Sequence, residues 1–162
     1  MSYADYEKFK QDVYKCKYFK SIGGINEQKI LKAEELLGLK FSKQCREFYE
    51  GYGYVSFEGT EIFGINPDNL NVYAANSVAM ALHERKDYGL PHEWLPIYDF
   101  EDGFIVFQDY SQLNSDGEPI VIVGGYNGEK YIQAEKIAED FGEFVLKLVM
   151  IQLELQKGEE QG

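Results

Sequence analysis

The stretch "ELLGLKFSKQCREFYEGYG", Glu35 to Gly53, sets two short helical patterns against each other across a four-residue joint, Gly38 to Phe41. Asn26 is a good N-cap upstream, and Ile30, Ala33 and Leu37 recur at i, i+3 and i+7, which predicts a helix over 27–37. Gly38 follows as a residue that takes positive φ without steric penalty and so stops the helix. Ser42 is a second N-cap. Behind it, Cys45, Phe48, Tyr49 and Tyr52 fall on one face, and Gly51 and Gly53 close the segment. Leu39 and Phe41 are expected to dip into the core across the joint. The stretch holds no nucleophile beside a base and no metal-ligand spacing, so it reads as scaffold.

Working outward, "YADYEKFKQDVYK" places Tyr6, Phe9 and Val13 at helical spacing, an amphipathic helix over roughly 3–16 that "SIGG" at 21–24 breaks. Downstream of Gly53 the period changes. "YVSF" (54–57) and "TEIFGI" (60–65) read as two short strands around a Glu58-Gly59 turn. A loop opens at Pro67, and residues 74–89 read as a helix stopped by Gly89 and Pro91. Strands resume at 94–99 and 103–110, the second apolar on both alternating faces, as a central strand is. "NSDGEP" (114–119) is a turn cluster, "PIVIVGGY" (119–126) a second two-faced strand, and Asn127-Gly128 turns the chain into "KYIQ" (130–133). Residues 134–157 carry Phe141, Phe144, Val145, Leu148, Ile151 and Leu155 at helical spacing, a long terminal helix. Helices, strands, helix, strands, helix is the order of an α+β fold: a mostly antiparallel sheet packed with helices. The 162 residues show no repeat, linker or second domain, and suit one domain with one core.

Composition narrows the function classes. Residues 1–46 hold ten Lys/Arg against six Asp/Glu; residues 47–129 hold only Arg85 and Lys86 against fifteen acids. Most of the net charge of -12 therefore sits in the middle of the chain. Such a surface repels phosphate backbones and lipid headgroups, so direct nucleic-acid or membrane binding is disfavoured and a basic partner protein is favoured. The N-terminus lacks the apolar region of a signal peptide, and the apolar runs are too short to span a bilayer, so a cytoplasmic protein with both cysteines, Cys16 and Cys45, reduced is expected.

Motifs for catalysis and metal binding are missing. His83 and His92 are nine apart, and neither has a helical His partner. "NSDG" fails as a calcium loop because Val123 falls where a bidentate Glu is needed. The paired glycines of "GYNGEKY" and "GYGYVSFEG" do not join a strand to a helix, as a phosphate cradle must. No serine elbow is present, and Cys45 has no base encoded nearby. No cofactor is implied, and the chain is not expected to be an enzyme. "YDFEDG" (98–103) is the loop that stands out: it presents Asp99, Glu101 and Asp102 around Phe100, and no Lys or Arg occurs between Lys86 and Lys130. In one reading the ring anchors a basic partner; in the other it is core and the acids are a solvated turn.

Taken together, this punctuation resembles the SUKH superfamily, which includes fungal cell-wall regulators and many bacterial immunity proteins. The residues that carry the resemblance are Ile30, Glu34, Leu37-Gly38, Leu39, Phe41-Ser42, Phe48-Tyr49 and Gly51 to Gly53. Further along, "EIFGI", "WLPIYDFEDGFIVFQDY", "DGEPIVIV" and "AEDFGEFVLKLV" follow in the family's order, over roughly 25–150. The family usually has Pro at the joint where this chain has Phe41-Ser42, and Ser42 caps the helix that Pro would have started. The resemblance implies a binding protein, often one that protects a bacterium by binding a toxin domain, many of them nucleases. Nuclease toxins tend to be basic, and an acidic inhibitor complements them. On this reading the partner-binding residues are the central acids Glu58, Glu61, Asp99, Glu101, Asp102, Asp109, Asp116 and Glu118, with Tyr54 and Tyr110 as aromatic anchors. The alternatives are a regulatory interaction adaptor, as in the fungal relatives, and a small-molecule enzyme using carboxylates in a deep pocket.

Overall fold

Side chains placed by the sequence itself fix the geometry of the joint. In the computed structural model, which describes residues 2–161, helix α2 spans Glu27–Leu37 and helix α3 spans Lys43–Gly51. The Asn26 side chain accepts the Lys29 N–H at 2.9 Å, and Ser42 caps α3 through Cys45 N. Gly38 ends α2 with φ +66°. Between the helices, Glu34 Oε2 accepts the Phe41 N–H at 2.8 Å while Oε1 accepts from Arg46 Nη2 at 2.9 Å, so one carboxylate ties α2 to the joint and to α3. Phe41 is buried edge-on against Tyr49, with ring centroids 4.9 Å apart, and Leu39 is half-buried. Both residues do dip inward.

The first helix, α1, runs Ser2–Asp12 and ends in a 3-10 turn, Val13–Lys15. A two-residue strand β1 (Lys20–Ser21) follows, where the sequence suggested only a break. It pairs antiparallel with β2 (Val55–Phe57), which turns through Glu58-Gly59 into β3 (Thr60–Ile62). Both turn residues have positive φ, 39° and 83°, the pattern of a two-residue hairpin turn whose twist matches the strands. Helix α4 (Ser77–Tyr88) starts later than residue 74 because Asn76 caps it. Asn76 is buried, and its amide also donates to the carbonyls of Asn66, Asn69 and Val72, which pins the 66–76 loop to the helix start.

The second sheet orders β4 (Trp94–Asp99), β5 (Ile105–Leu113), β6 (Pro119–Tyr126) and β7 (Tyr131–Ala138), all antiparallel. The fold is α+β with antiparallel pairing, as expected, but the strands form a three-stranded and a four-stranded sheet. A backbone hydrogen bond from Phe63 N to Ile97 O (3.0 Å) joins them. The two-faced strands β5 and β6 are the central pair. The helix expected from residue 134 begins later: residues 131–138 stay extended against β6, and α5 runs Phe141–Gln161. Ladder pairing with β6 overrides the local helical pattern there. Asp140 caps α5 by accepting the Glu143 N–H at 2.9 Å.

One core joins these layers. Tyr6 and Phe9 of α1, Phe48 of α3 and Phe141 of α5 pack together with ring centroids 5.2–6.3 Å apart. Phe144 of α5 meets Tyr98 of β4 edge-on. On the four-stranded sheet Trp94, Phe107 and Tyr131 form an aromatic row, and the Tyr131 hydroxyl bonds Glu84 of α4. Gly124 lies under that row, where a Cβ would stand 2.9 Å from the Trp94 ring.

Candidate partner interface

The ten candidate side chains fall in three places. Asp109 and Glu118 are buried, and Tyr110 is half-buried beside them. Asp109 is only 2% exposed; its carboxylate accepts from Ser111 N (2.9 Å), Ser111 Oγ (2.6 Å) and Gln112 Nε2 (2.7 Å). These bonds hold the register shift between Asp109 and Leu113, so Asp109 shapes a β-bulge and does not face a partner. Glu118 is 5% exposed and points at the start of α3, where Gln44 N reaches Oε2 at 3.5 Å, while Oε1 has no hydrogen-bond partner. Burial raises its carboxyl pKa above the usual range. Tyr110 accepts the Ser42 N–H at 3.1 Å and donates to Gln108 Oε1 at 3.2 Å, so its hydroxyl is a strut between β5 and the joint. Sequence alone counts these acids as surface because acids usually are.

Gln44 completes this interior network. Its amide donates to Asp140 Oδ2 at 3.2 Å and accepts the Gly142 N–H at 2.8 Å. Asp140, like Glu118, has its pKa raised by burial. The network links the N-termini of α3 and α5, where backbone N–H groups favour carboxylates.

Glu58, Glu61, Asp99, Glu101, Asp102 and Tyr54 are brought to two neighbouring loops, the β2–β3 hairpin and the β4–β5 loop. Asp116 is exposed in the β5–β6 turn, at the opposite end of β5. In the β4–β5 loop, Asp99 Oδ1 accepts the Glu101 N–H (2.7 Å) and Asp102 Oδ1 accepts the Phe104 N–H (3.0 Å). Glu101 itself sits at φ +64°, a conformation rare for a residue with a side chain. Phe100 is 44% exposed: its ring lies at the surface, beside Tyr98, and not in the core. A small cleft of about 90 Å³ separates the two loops, with Glu61, Asp99 and Glu101 around it. On the hairpin, Glu58 accepts from Gln152 of α5 at 2.9 Å, and the Tyr54 hydroxyl donates to Glu61. Burial and that carboxylate push the Tyr54 hydroxyl pKa up to about 12.

Glu61 also lines a second cleft, of about 270 Å³. Its walls include Ile22, Tyr54, Ile65, Val72 and Ala75, together with Asn66 and Asn76. Sequence reading missed this groove, because its apolar members come from three separate loops. The available signal was exposed Val72 in an Asn-rich loop with no core-facing period.

Among the described residues no group of three His, Cys, Asp or Glu is placed to hold a metal ion. Both cysteines are free and buried, and burial pushes the thiols up to about 11 at Cys16 and about 12 at Cys45, away from the thiolate a nucleophile needs. His83 lies on α4 between Glu84 and Asp87 with Tyr73 packed on its ring, and the His92 ring stands over Gly38. Among the described residues no helix is long and apolar enough to cross a membrane.

No curated protein matches the sequence. The family model SUKH_5, described as SMI1-KNR4 cell-wall, matches residues 7–150, a span from the first helix to the middle of α5 that holds the capped joint, both sheets and the two acidic loops. On that match the chain belongs to the SMI1-KNR4 (SUKH) family.

Proposed function

We propose that this protein is an immunity protein: it binds a toxin protein with a basic surface and neutralises it by occupying that surface. The observation that carries the reading is the acidic edge built from the β2–β3 hairpin and the β4–β5 loop, where Glu61, Asp99 and Glu101 meet around one cleft. Two separate chain segments contribute like charges there, which costs folding stability through repulsion and is repaid when a cationic partner docks. Exposed Phe100 supplies a ring at the same edge. Family membership supports a protein-interaction role. In this reading the protein acts by binding, and its carboxyls with raised pKa, Glu118 and Asp140, are packed into the core.

The description of the family as cell-wall proteins favours a second reading, a regulatory adaptor. Co-expression separates the two. The chain is expressed in a bacterial host together with each basic toxin domain encoded near its gene. The immunity reading predicts restored growth with one of them and a stable complex on purification. Growth arrest unrelieved by well-expressed protein in every pairing would sink it. Several unrelated partners of similar affinity would favour the adaptor.

A further inference from the structure

A mostly apolar groove with one carboxylate at its rim lies where the segments after β1, before β2 and after β3 come together. Ile22, Ile65, Val72 and Ala75 wall the groove, and Ile22 and Val72 are among the exposed large hydrophobic residues, Ile22 at 66%. Glu61 stands at the edge, oriented by the Tyr54 hydroxyl. At about 270 Å³ the groove lies below the roughly 300 Å³ at which small-molecule sites typically begin, which suits a protein side chain better than a free metabolite. The cation nearest in strand register is Lys20, which pairs with Ser56, which in turn pairs with Glu61, so it is two strands away. Glu61 is shared with the cleft of Asp99 and Glu101, and the nearby Lys29 and Lys32 are paired with Asp68.

We infer that this groove takes an arginine of the partner together with the aliphatic residue next to it. The guanidinium stacks on the Tyr54 ring and donates to Glu61, its methylene stem covers Ile22, and the aliphatic neighbour fills the space beside Val72 and Ala75. Arginine fits better than lysine, because a planar, weakly hydrated cation can stack on a ring and hydrogen-bond a carboxylate at once. The Tyr54–Glu61 hydrogen bond fixes the acceptor beforehand, so little order is lost on docking. Asp99 and Glu101 steer the approach from the neighbouring cleft. This inference rests on the reading of the chain as a binder of a basic protein, and it names the chemistry that the partner must present.

The test is a titration of the isotope-labelled protein, followed by amide NMR, with acetyl-Leu-Arg-Leu-amide and with acetyl-Leu-Gln-Leu-amide. Affinity in the range of about 1–10 mM is expected for a contact this small. Saturable shifts at Ile22, Tyr54, Glu61, Val72 and Ala75 with the arginine peptide alone support the site. Glu61→Gln should then weaken binding at least ~5-fold, and Glu154→Gln on exposed α5 should leave it unchanged. Equal shifts with both peptides, shifts elsewhere, or none overturn the site. The immunity reading is judged separately by toxin protection. If Glu61→Gln and Tyr54→Ala each protect as well as the wild type, immunity stands and the groove is excluded. If the arginine peptide binds here but no toxin is neutralised, the groove stands and immunity fails.

Discussion

Glu34 reaches across the joint to accept the Phe41 N–H at 2.8 Å, seven residues on in sequence, and its other oxygen holds Arg46 of α3 at 2.9 Å. The carboxylate is largely buried and its two bonds set the angle between α2 and α3. Glu34→Ala removes both and is expected to cost about 2 kcal/mol, since bonds to a charged acceptor are worth more than neutral ones. Glu27 also pairs with Arg46 but is mostly exposed, and Glu27→Ala should cost less than about 1 kcal/mol. Urea denaturation midpoints of the two variants check the ranking; equal losses would remove Glu34 from its role.

Gly64 follows β3 at a place where backbones nearly touch. A Cβ there would lie 2.2 Å from the Gly53 carbonyl oxygen. Gly64→Ala must therefore push apart the turn after α3 and the segment after β3, at a cost of about 1–3 kcal/mol. Gly51, at the end of α3, has open space around the same position, and Gly51→Ala should be neutral or slightly stabilising. Thermal midpoints decide between these outcomes.

The interior network predicts an unusual pH response. Burial holds the Glu118 carboxyl pKa above its ordinary value in the folded protein. Across the range between the unfolded and folded pKa values the folded chain binds more protons than the unfolded one, so this group's contribution to stability falls as pH rises and stays low above the folded value. Glu118→Gln removes the charge while keeping the shape. The variant's gain over the wild type should be smallest near pH 4, grow as pH rises and then level off. Comparing the two proteins at each pH is the right readout, because Asp12, hydrogen-bonded by Lys8 and Lys15, is shifted down and acts in the opposite sense. A gain that shrinks with rising pH would contradict this account.

Neither thiol should react in the folded state. Burial pushes Cys45 to about 12 and Cys16 to about 11, so at pH 8 few thiolates form and few are reachable. A colorimetric disulfide reagent is expected to find close to no free thiol in native protein and two per chain after denaturation. Rapid native labelling of Cys45 would reopen a role in chemistry.

Local signals made much of this fold legible. Asn26, Gly38 and Ser42 mark helix ends that the structure reproduces, and "PIVIVGGY" is strand β6 from end to end. What failed depended on distant partners. Residues 134–138 carry a helical pattern, yet β6 holds them as strand, and β1 exists only because β2 lies beside it. The candidate surface was half legible. Asp99, Glu101 and Phe100 sit in a loop whose charge and lack of cations stand out in the sequence, but nothing local says that Glu61 approaches them. Asp109 and Glu118 look like any other acids until the fold buries them.

The binding account turns on charge at one edge, and the salt dependence of toxin association tests it most directly. The toxin identified by co-expression would be titrated against wild type and against a Glu61→Gln, Asp99→Asn, Glu101→Gln triple variant, with association rates measured from low to physiological ionic strength. The account predicts a wild-type rate that falls at least ~10-fold as salt screens the charges, and a variant that starts slower and responds far less. Equal rates and equal salt slopes for the two proteins would contradict it and move the interface elsewhere on the molecule.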